Sequence, residues 1–96
     1  MLPQNEAFME IQIRKLNDNE IRERGILSWP VWEKEVSVFD WYYDSTEECL
    51  FLEGRVIVRT GAGDVEIKAG DFAVFPKGLK CTWDIRENVR KHYNFS

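Results

Sequence analysis

Three side chains of this sequence are candidates for chemistry: Glu47, Cys81 and Lys91. A carboxylate can accept or release a proton, a thiol can attack an electrophile or bind a soft metal, and an ammonium can pair with an acid or an anionic ligand. The lone histidine, His92, directly follows Lys91 in an extended segment and therefore faces the other way, so we expect a surface or interface position for it. A Ser-His-Asp or Cys-His set is not expected, and the candidate catalytic residues are Glu47, Cys81 and Lys91.

The elements that would position these residues are mostly strands. Short runs of alternating apolar and polar residues follow one another from Glu35 onward, which is typical of an all-β sandwich or barrel. The predicted strands are residues 36–43, 48–52, 55–60, 64–68, 72–75, 81–86 and 89–95. Before them, residues 9–13 predict a first strand, and Pro30 interrupts an edge segment over residues 28–32. Asn17 predicts the start of a short helix that ends at Gly25.

The sequence therefore predicts one domain, an antiparallel jelly-roll barrel over residues 28–96. Residues 1–27 would form an N-terminal strand and a short helix that pack on this barrel.

Side chains alternate between the two faces of a strand, so the spacing predicts which of them line the barrel interior. With Glu47 facing inward, the predicted cavity is lined by Phe39, Trp41, Tyr43, Glu47, Cys49, Phe51, Cys81 and Trp83. The candidate ligand-binding residues among them are Trp41, Tyr43, Cys49, Phe51 and Trp83. Leu50 and Leu52 would face outward, which is consistent with a homodimer surface.

Glu47 and Lys91 each allow more than one interpretation. A carboxylate facing an aromatic cavity suits acid–base chemistry, but it suits a structural pairing equally. Lys91 shares a face with Val89, Tyr93 and Phe95, and a lysine on an apolar face is uncommon unless it is paired. Its ammonium would reach Glu47, bind an anionic ligand, or extend to water at the barrel end.

Composition excludes several classes of function. The chain has 96 residues, a net charge of −4 and a pI near 5.0, without the clustered basic surface that nucleic-acid binding requires. Apolar runs are far shorter than the roughly 20 residues of a membrane span, and we do not expect residues 1–10 to be a secretory signal, because they lack a basic region followed by an apolar core. Two cysteines, Cys49 and Cys81, are too few for a disulfide scaffold. We therefore expect a cytoplasmic protein with free thiols and without nucleic-acid or membrane partners.

Two motifs carry a family resemblance. Glu47 and Gly54 have the spacing E-x6-G, and residues 70–81, GDFAVFPKGLKC, have the spacing G-x5-P-x-G-x2-H except that Cys81 replaces the histidine. The chain thus resembles the small single-domain cupins (RmlC-like jelly rolls), in particular the cupin domain of ureidoglycine aminohydrolase, a group that includes the ethanolamine-utilisation cupin. The resemblance implies a jelly-roll barrel, often dimeric, with a central ligand cavity.

The resemblance also shows where this chain departs from the family. In the usual cupin, three histidines and one glutamate hold a metal, and the corresponding positions here are Trp41, Tyr43, Glu47 and Cys81. We therefore predict no cofactor; if a transition metal is held, its ligands would be Glu47 and Cys81.

Three functions follow as hypotheses. The first is metal-free binding of a small polar or anionic metabolite inside the barrel, with Trp41, Tyr43 and Trp83 as walls. The second is a small hydrolase or isomerase, similar to ureidoglycine aminohydrolase, that uses Glu47 and Cys81 with or without a metal. The third is a non-catalytic module for dimerisation or another protein interaction.

Overall fold

The structure is a computed structural model that describes residues 9–96. Within these residues it is an all-β antiparallel jelly roll with one short helix, α1 (Asp18–Glu23), as predicted, and a 3-10 turn (Ile26–Ser28) follows the helix. Its strands are β1 (Gln12–Arg14), β2 (Val31–Lys34), β3 (Ser37–Tyr42), β4 (Glu47–Thr60), β5 (Gly63–Lys68), β6 (Phe72–Phe75) and β7 (Lys80–Phe95). No helix within residues 9–96 has the length and apolar character needed to cross a bilayer.

Two long strands form the spine of the sheet. β4 and β7 pair antiparallel over nearly their whole length, from Glu47 opposite Phe95 to Arg59 opposite Thr82. The shorter strands line the outer edges of this pair: β6 and β5 follow one another along β4, and β2 and β3 follow one another along β7. β1 adds to β6. The sequence predicted each long strand as two shorter ones, and the structure corrects this.

The pairing of β4 with β7 continues through an irregular stretch. Its register shifts there, between Phe51 and Val56 of β4. Gly54 lies in this irregular stretch with φ 95°, a left-handed conformation that favours glycine. A Cβ at Gly54 would also collide with the backbone carbonyl of Asn88 on β7. The glycine thus allows β4 to bend against β7, which curves the sheet around its interior.

From residue 9 to residue 30 the prediction is largely confirmed, and the part of the predicted N-terminal element over residues 1–8 lies outside the described residues. Asn17 caps α1 by accepting a hydrogen bond from the backbone N–H of Glu20 at 2.8 Å, and the Glu20 side chain in turn accepts a hydrogen bond from the backbone N–H of Asn17 at 3.1 Å. Gly25 follows the helix with φ 67°. The predicted strand over residues 9–13 is observed as Gln12–Arg14, and the segment around Pro30 continues into β2. The domain boundary at residue 27 stays a prediction.

Apolar side chains pack on both faces of the sheet. The main core fills the barrel interior and includes Tyr43, Phe51, Phe75 and Trp83. A second cluster lies on the outer face, where Ile26 from the 3-10 turn covers Leu50 and Phe72. Leu50 is therefore buried, and Leu52 packs partly against the same cluster. The expectation that both leucines are exposed is wrong for Leu50, because residues of the described N-terminal part of the chain cover it.

Candidate functional site

A cavity of about 190 Å³ opens into the barrel interior. Aromatic side chains form most of its wall, and one carboxylate and one ammonium are its charged groups. The lining residues are Trp32, Phe39, Trp41, Tyr43, Glu47, Trp83, Lys91, Tyr93 and Phe95. Trp41 and Phe95 are about half exposed, so they lie where the cavity meets solvent. The volume is below the roughly 300–1,000 Å³ of pockets for drug-sized ligands, so only a small molecule fits.

The central feature of this cavity is a buried ion pair. Glu47 is the first residue of β4 and lies opposite Phe95 of β7. Lys91 lies four residues before Phe95 on β7, opposite Phe51. Both side chains face inward, and the Lys91 Nζ donates a hydrogen bond to the Glu47 Oε2 at 2.8 Å. Each residue is only 3% exposed, so the lysine does not extend to water. The pairing of Lys91 with Glu47, one of the predicted alternatives, is the one that the structure shows.

Aromatic rings surround the same ammonium. The Lys91 Nζ lies 4.6 Å from the ring centroid of Trp83 and 4.9 Å from that of Trp32. The rings of Phe51 and Phe75 follow, each 5.8 Å away. All four distances are within the range in which the ring quadrupole attracts a cation. Glu47 and the four rings therefore form an aromatic cage around the Lys91 ammonium, and we use this term for it below.

The ionisable groups near the cage are held in their neutral forms. Burial raises the pKa of the Tyr43 hydroxyl far above its usual value, and the nearby Glu47 carboxylate raises it further. Burial likewise raises the pKa of the Cys49 thiol well above the usual range and that of the Cys81 thiol to about 11. Both cysteines are free. At neutral pH they are thiols, whereas a nucleophile or a metal ligand needs the thiolate.

The predicted cavity residues fall into two groups. Phe39, Trp41, Tyr43, Glu47 and Trp83 line the cavity together, and Lys91, a predicted catalytic residue, lines it with them. The other three predicted residues face inward but do not form its wall: Cys49, Phe51 and Cys81. All three belong to the buried core, so strand alternation gives their face correctly but does not show that they lie off the cavity wall.

Three cavity residues were missing from the predicted site: Trp32, Tyr93 and Phe95. The last two share a face with Lys91 on β7, and that alternation was sufficient to find them. Trp32 carried no such signal, because it follows the irregular segment around Pro30.

His92 is not at the surface, which corrects the sequence prediction. It is buried on the outer face of β7, opposite Leu50 in register, and its Nδ1 lies 3.0 Å from the Trp29 carbonyl oxygen. The N-terminal segment that covers Leu50 also covers this ring. His92 thus contributes to the outer packing and does not line the cavity.

The chain matches the family model described as the EutQ-like cupin domain over residues 22–93. It belongs to the EutQ-like cupin family. A DUF861 family protein from Thermotoga maritima is 50% identical, with a TM-score of 0.88, and the match covers 91% of this chain and 100% of that chain. Among curated proteins, no sequence matches this chain.

Two solved structures of lower sequence identity share the fold. A putative ethanolamine utilization protein Q from Salmonella typhimurium is 23% identical with a TM-score of 0.63, over 88% of this chain and 68% of that one. The EutQ protein of Clostridium difficile is 18% identical with the same TM-score of 0.63, over 88% and 66% of the two chains. At these identities the similarity shows the cupin fold alone.

The metal that the wider cupin superfamily implies does not fit the side chains of this chain. Of the four positions, Trp41 offers no lone pair, and Tyr43 and Cys81 are protonated at neutral pH. The fourth, Glu47, is already paired with Lys91. Across residues 9–96, no three His, Cys, Asp or Glu side chains converge on one point.

Proposed function

We propose that this EutQ-like cupin binds a small polar or anionic metabolite in its barrel cavity without a metal. The observation that supports the proposal most directly is the buried Lys91 ammonium on the cavity wall. An ammonium has three N–H donors, and within residues 9–96 Lys91 donates one hydrogen bond, to Glu47. Its remaining donors are available for an acceptor on the ligand, and an anionic acceptor would make the stronger bond.

The aromatic wall determines the shape of the ligand. The rings of Trp41, Tyr43 and Trp83 give flat apolar surfaces around the ion pair, and such walls favour a planar molecule with few polar groups at one end. A volume of about 190 Å³ corresponds to roughly six waters at about 30 Å³ each. We therefore expect a metabolite of a few heavy atoms, with a carboxylate or carbonyl directed to Lys91.

A metabolite library screened by thermal shift tests this proposal, because a ligand that prefers the folded state raises the melting temperature. Hits should stabilise the wild type and have no effect on the double variant Glu47→Met/Lys91→Met, which keeps the side-chain volumes and removes both charges. Trp41→Ala, at the cavity mouth, should weaken binding while leaving the core intact. Hits that stabilise the double variant as much as the wild type would contradict a site at Lys91.

The enzyme hypothesis, including a reaction similar to that of ureidoglycine aminohydrolase, has less support. Its residues would be Glu47 as acid–base group and Cys81 as nucleophile. The Cys81 sulfur lies 3.7 Å from the Trp41 carbonyl oxygen, with a pKa raised by burial to about 11, and it is outside the cavity wall. The raised pKa and the position outside the cavity wall both favour an inert structural thiol.

Homodimerisation also stays a prediction, to be measured by sedimentation.

A further inference from the structure

The aromatic cage is a cation site, and the chain fills it with its own side chain. We infer that the Lys91 ammonium is the resident cation of this barrel and takes the place, beside Glu47, that a metal ion would need. The inference goes beyond metabolite binding and does not require any ligand in the cavity. It depends on the geometry of one ion, one carboxylate and four rings.

Burial has desolvated both charged groups of the pair. A lysine and a glutamate that are each 3% exposed have lost nearly all of their water. Such a pair is maintained only when the protein replaces the lost water with well-placed partners. For Lys91 these partners are the Glu47 Oε2 at 2.8 Å and the centroids of Trp83 and Trp32 within 5 Å.

The side chains of the aromatic cage favour an ammonium over a transition-metal ion. Ring faces attract an ammonium but give no lone pairs to a transition metal, and the cage contributes a single carboxylate as donor. The Cys49 and Cys81 thiols are directed to backbone carbonyl oxygens, those of Ala73 at 3.8 Å and Trp41 at 3.7 Å. The same position therefore suits an organic ammonium and does not suit a divalent ion.

The Lys91 ammonium occupies the aromatic cage as part of the polypeptide. The ammonium reaches the cage through the four methylenes of a residue on β7, whose backbone is fixed between β4 and β2. A free metal ion at this point would place a second positive charge within a few ångströms of the Lys91 Nζ. Lys91 thus blocks the site against other cations as long as its side chain is present.

Chemical rescue tests the inference directly. Lys91→Ala deletes three methylenes and the ammonium, a fragment the size of n-propylammonium. Added n-propylammonium should raise the melting temperature of Lys91→Ala, by on the order of 5 °C for each tenfold increase in concentration above Kd. 1-Propanol, which has the same chain without the charge, should have little effect. The wild type should not respond to either compound.

The matched control is Lys91→Ala/Glu47→Met, in which the cavity remains but the carboxylate is gone, and in which the amine should no longer stabilise. Equal stabilisation by 1-propanol, or an undiminished response of the double variant, would overturn the inference, because cavity filling alone would then explain the effect.

Two measurements on the wild type keep the inference testable if Lys91→Ala does not fold. Its Lys91 Cε protons should show upfield NMR shifts from the surrounding rings, with a slowly exchanging ammonium. Calorimetric titration with Zn²⁺ or Mn²⁺ should show no stoichiometric binding. Ordinary lysine chemical shifts, or one equivalent of bound metal that is lost in Glu47→Gln, would overturn it.

Discussion

At the residue scale, the Glu47–Lys91 pair gives the sharpest prediction about stability. Lys91→Met leaves the Glu47 carboxylate buried without its partner, and we expect it to lower the free energy of unfolding by about 3–5 kcal/mol. Glu47→Met/Lys91→Met removes both charges at similar volume and should unfold within about 1 kcal/mol of the wild type, or at higher stability. Urea unfolding followed by tryptophan fluorescence measures both values.

The control for this pair is Lys77→Met, at an exposed lysine in the turn before β7. Surface changes of this kind usually alter stability by no more than about 0.5 kcal/mol. A double variant as unstable as Lys91→Met would show that the loss comes from packing and not from the unpaired charge.

Cys81 gives a prediction about pH. Because burial raises the pKa of its thiol from 9.0 to about 11, the fraction of reactive thiolate keeps growing as the pH rises through 10. In a Cys49→Ala background, the rate of alkylation of Cys81 by iodoacetamide should increase roughly tenfold per pH unit from pH 7 to pH 10 without a plateau. The denatured protein, whose thiol pKa is near 8.5, should level off earlier. A native plateau below pH 7 would instead support a nucleophile.

Much of the site could be predicted at this scale. Alternation along β4 and β7 predicts that Glu47 and Lys91 share the interior face, and their pairing is one of the three alternatives that the sequence leaves open for the lysine. Alternation gives the face of a residue but not its depth, which is why Cys49, Phe51 and Cys81 were expected on the cavity wall. The position of Trp32 at the cavity depends on the path of the chain after Pro30, and the residues of that segment do not alternate in a way that predicts it.

At the element scale, the bend in β4 depends on Gly54. Gly54→Ala should destabilise the protein by about 2–5 kcal/mol, because it adds a side chain at φ 95° and drives its Cβ into the Asn88 carbonyl. Gly61→Ala is the matched control: its added Cβ would meet nothing within 4 Å. We expect it to be close to neutral in the same urea unfolding experiment. A Gly61→Ala variant as unstable as Gly54→Ala would contradict this prediction, because the loss would then not come from the close approach of β7 at Gly54.

The same glycine explains why the strand prediction divided β4. Residues 48–52 and 55–60 each alternate well, and a glycine between two alternating runs normally indicates a turn. Here the chain keeps its direction, and Gly54 allows a shift of register. The difference depends on whether β7 continues opposite the glycine, which is a tertiary contact and lies beyond local sequence.

At the scale of the whole molecule, the N-terminal segment is part of the fold and not an appendage. Ile26→Ala should cost about 2–5 kcal/mol, because Ile26 is fully buried against Leu50 and Phe72. Leu27→Ala, one residue away and 66% exposed, should have almost no effect. Thermal unfolding should remain a single transition in both variants. Separate unfolding of this segment at a lower temperature would contradict this view, because Leu50 would then be exposed while the barrel is still folded.

This coverage also explains the errors for His92 and Leu50. Their outward direction was predicted correctly from alternation, but a prediction from alternation treats the outer face of a barrel as solvent-exposed. Whether another segment of the chain covers that face depends on how residues 15–30 return across β4 and β7, and the short helix alone does not reveal it.

The positive charge beside Glu47 is encoded in the gene. It is synthesised with the polypeptide, arrives at the carboxylate at the moment of folding, and cannot diffuse away afterwards. A chelator such as EDTA should therefore leave the melting temperature of this cupin unchanged, and growth without added trace metals should yield protein of the same stability.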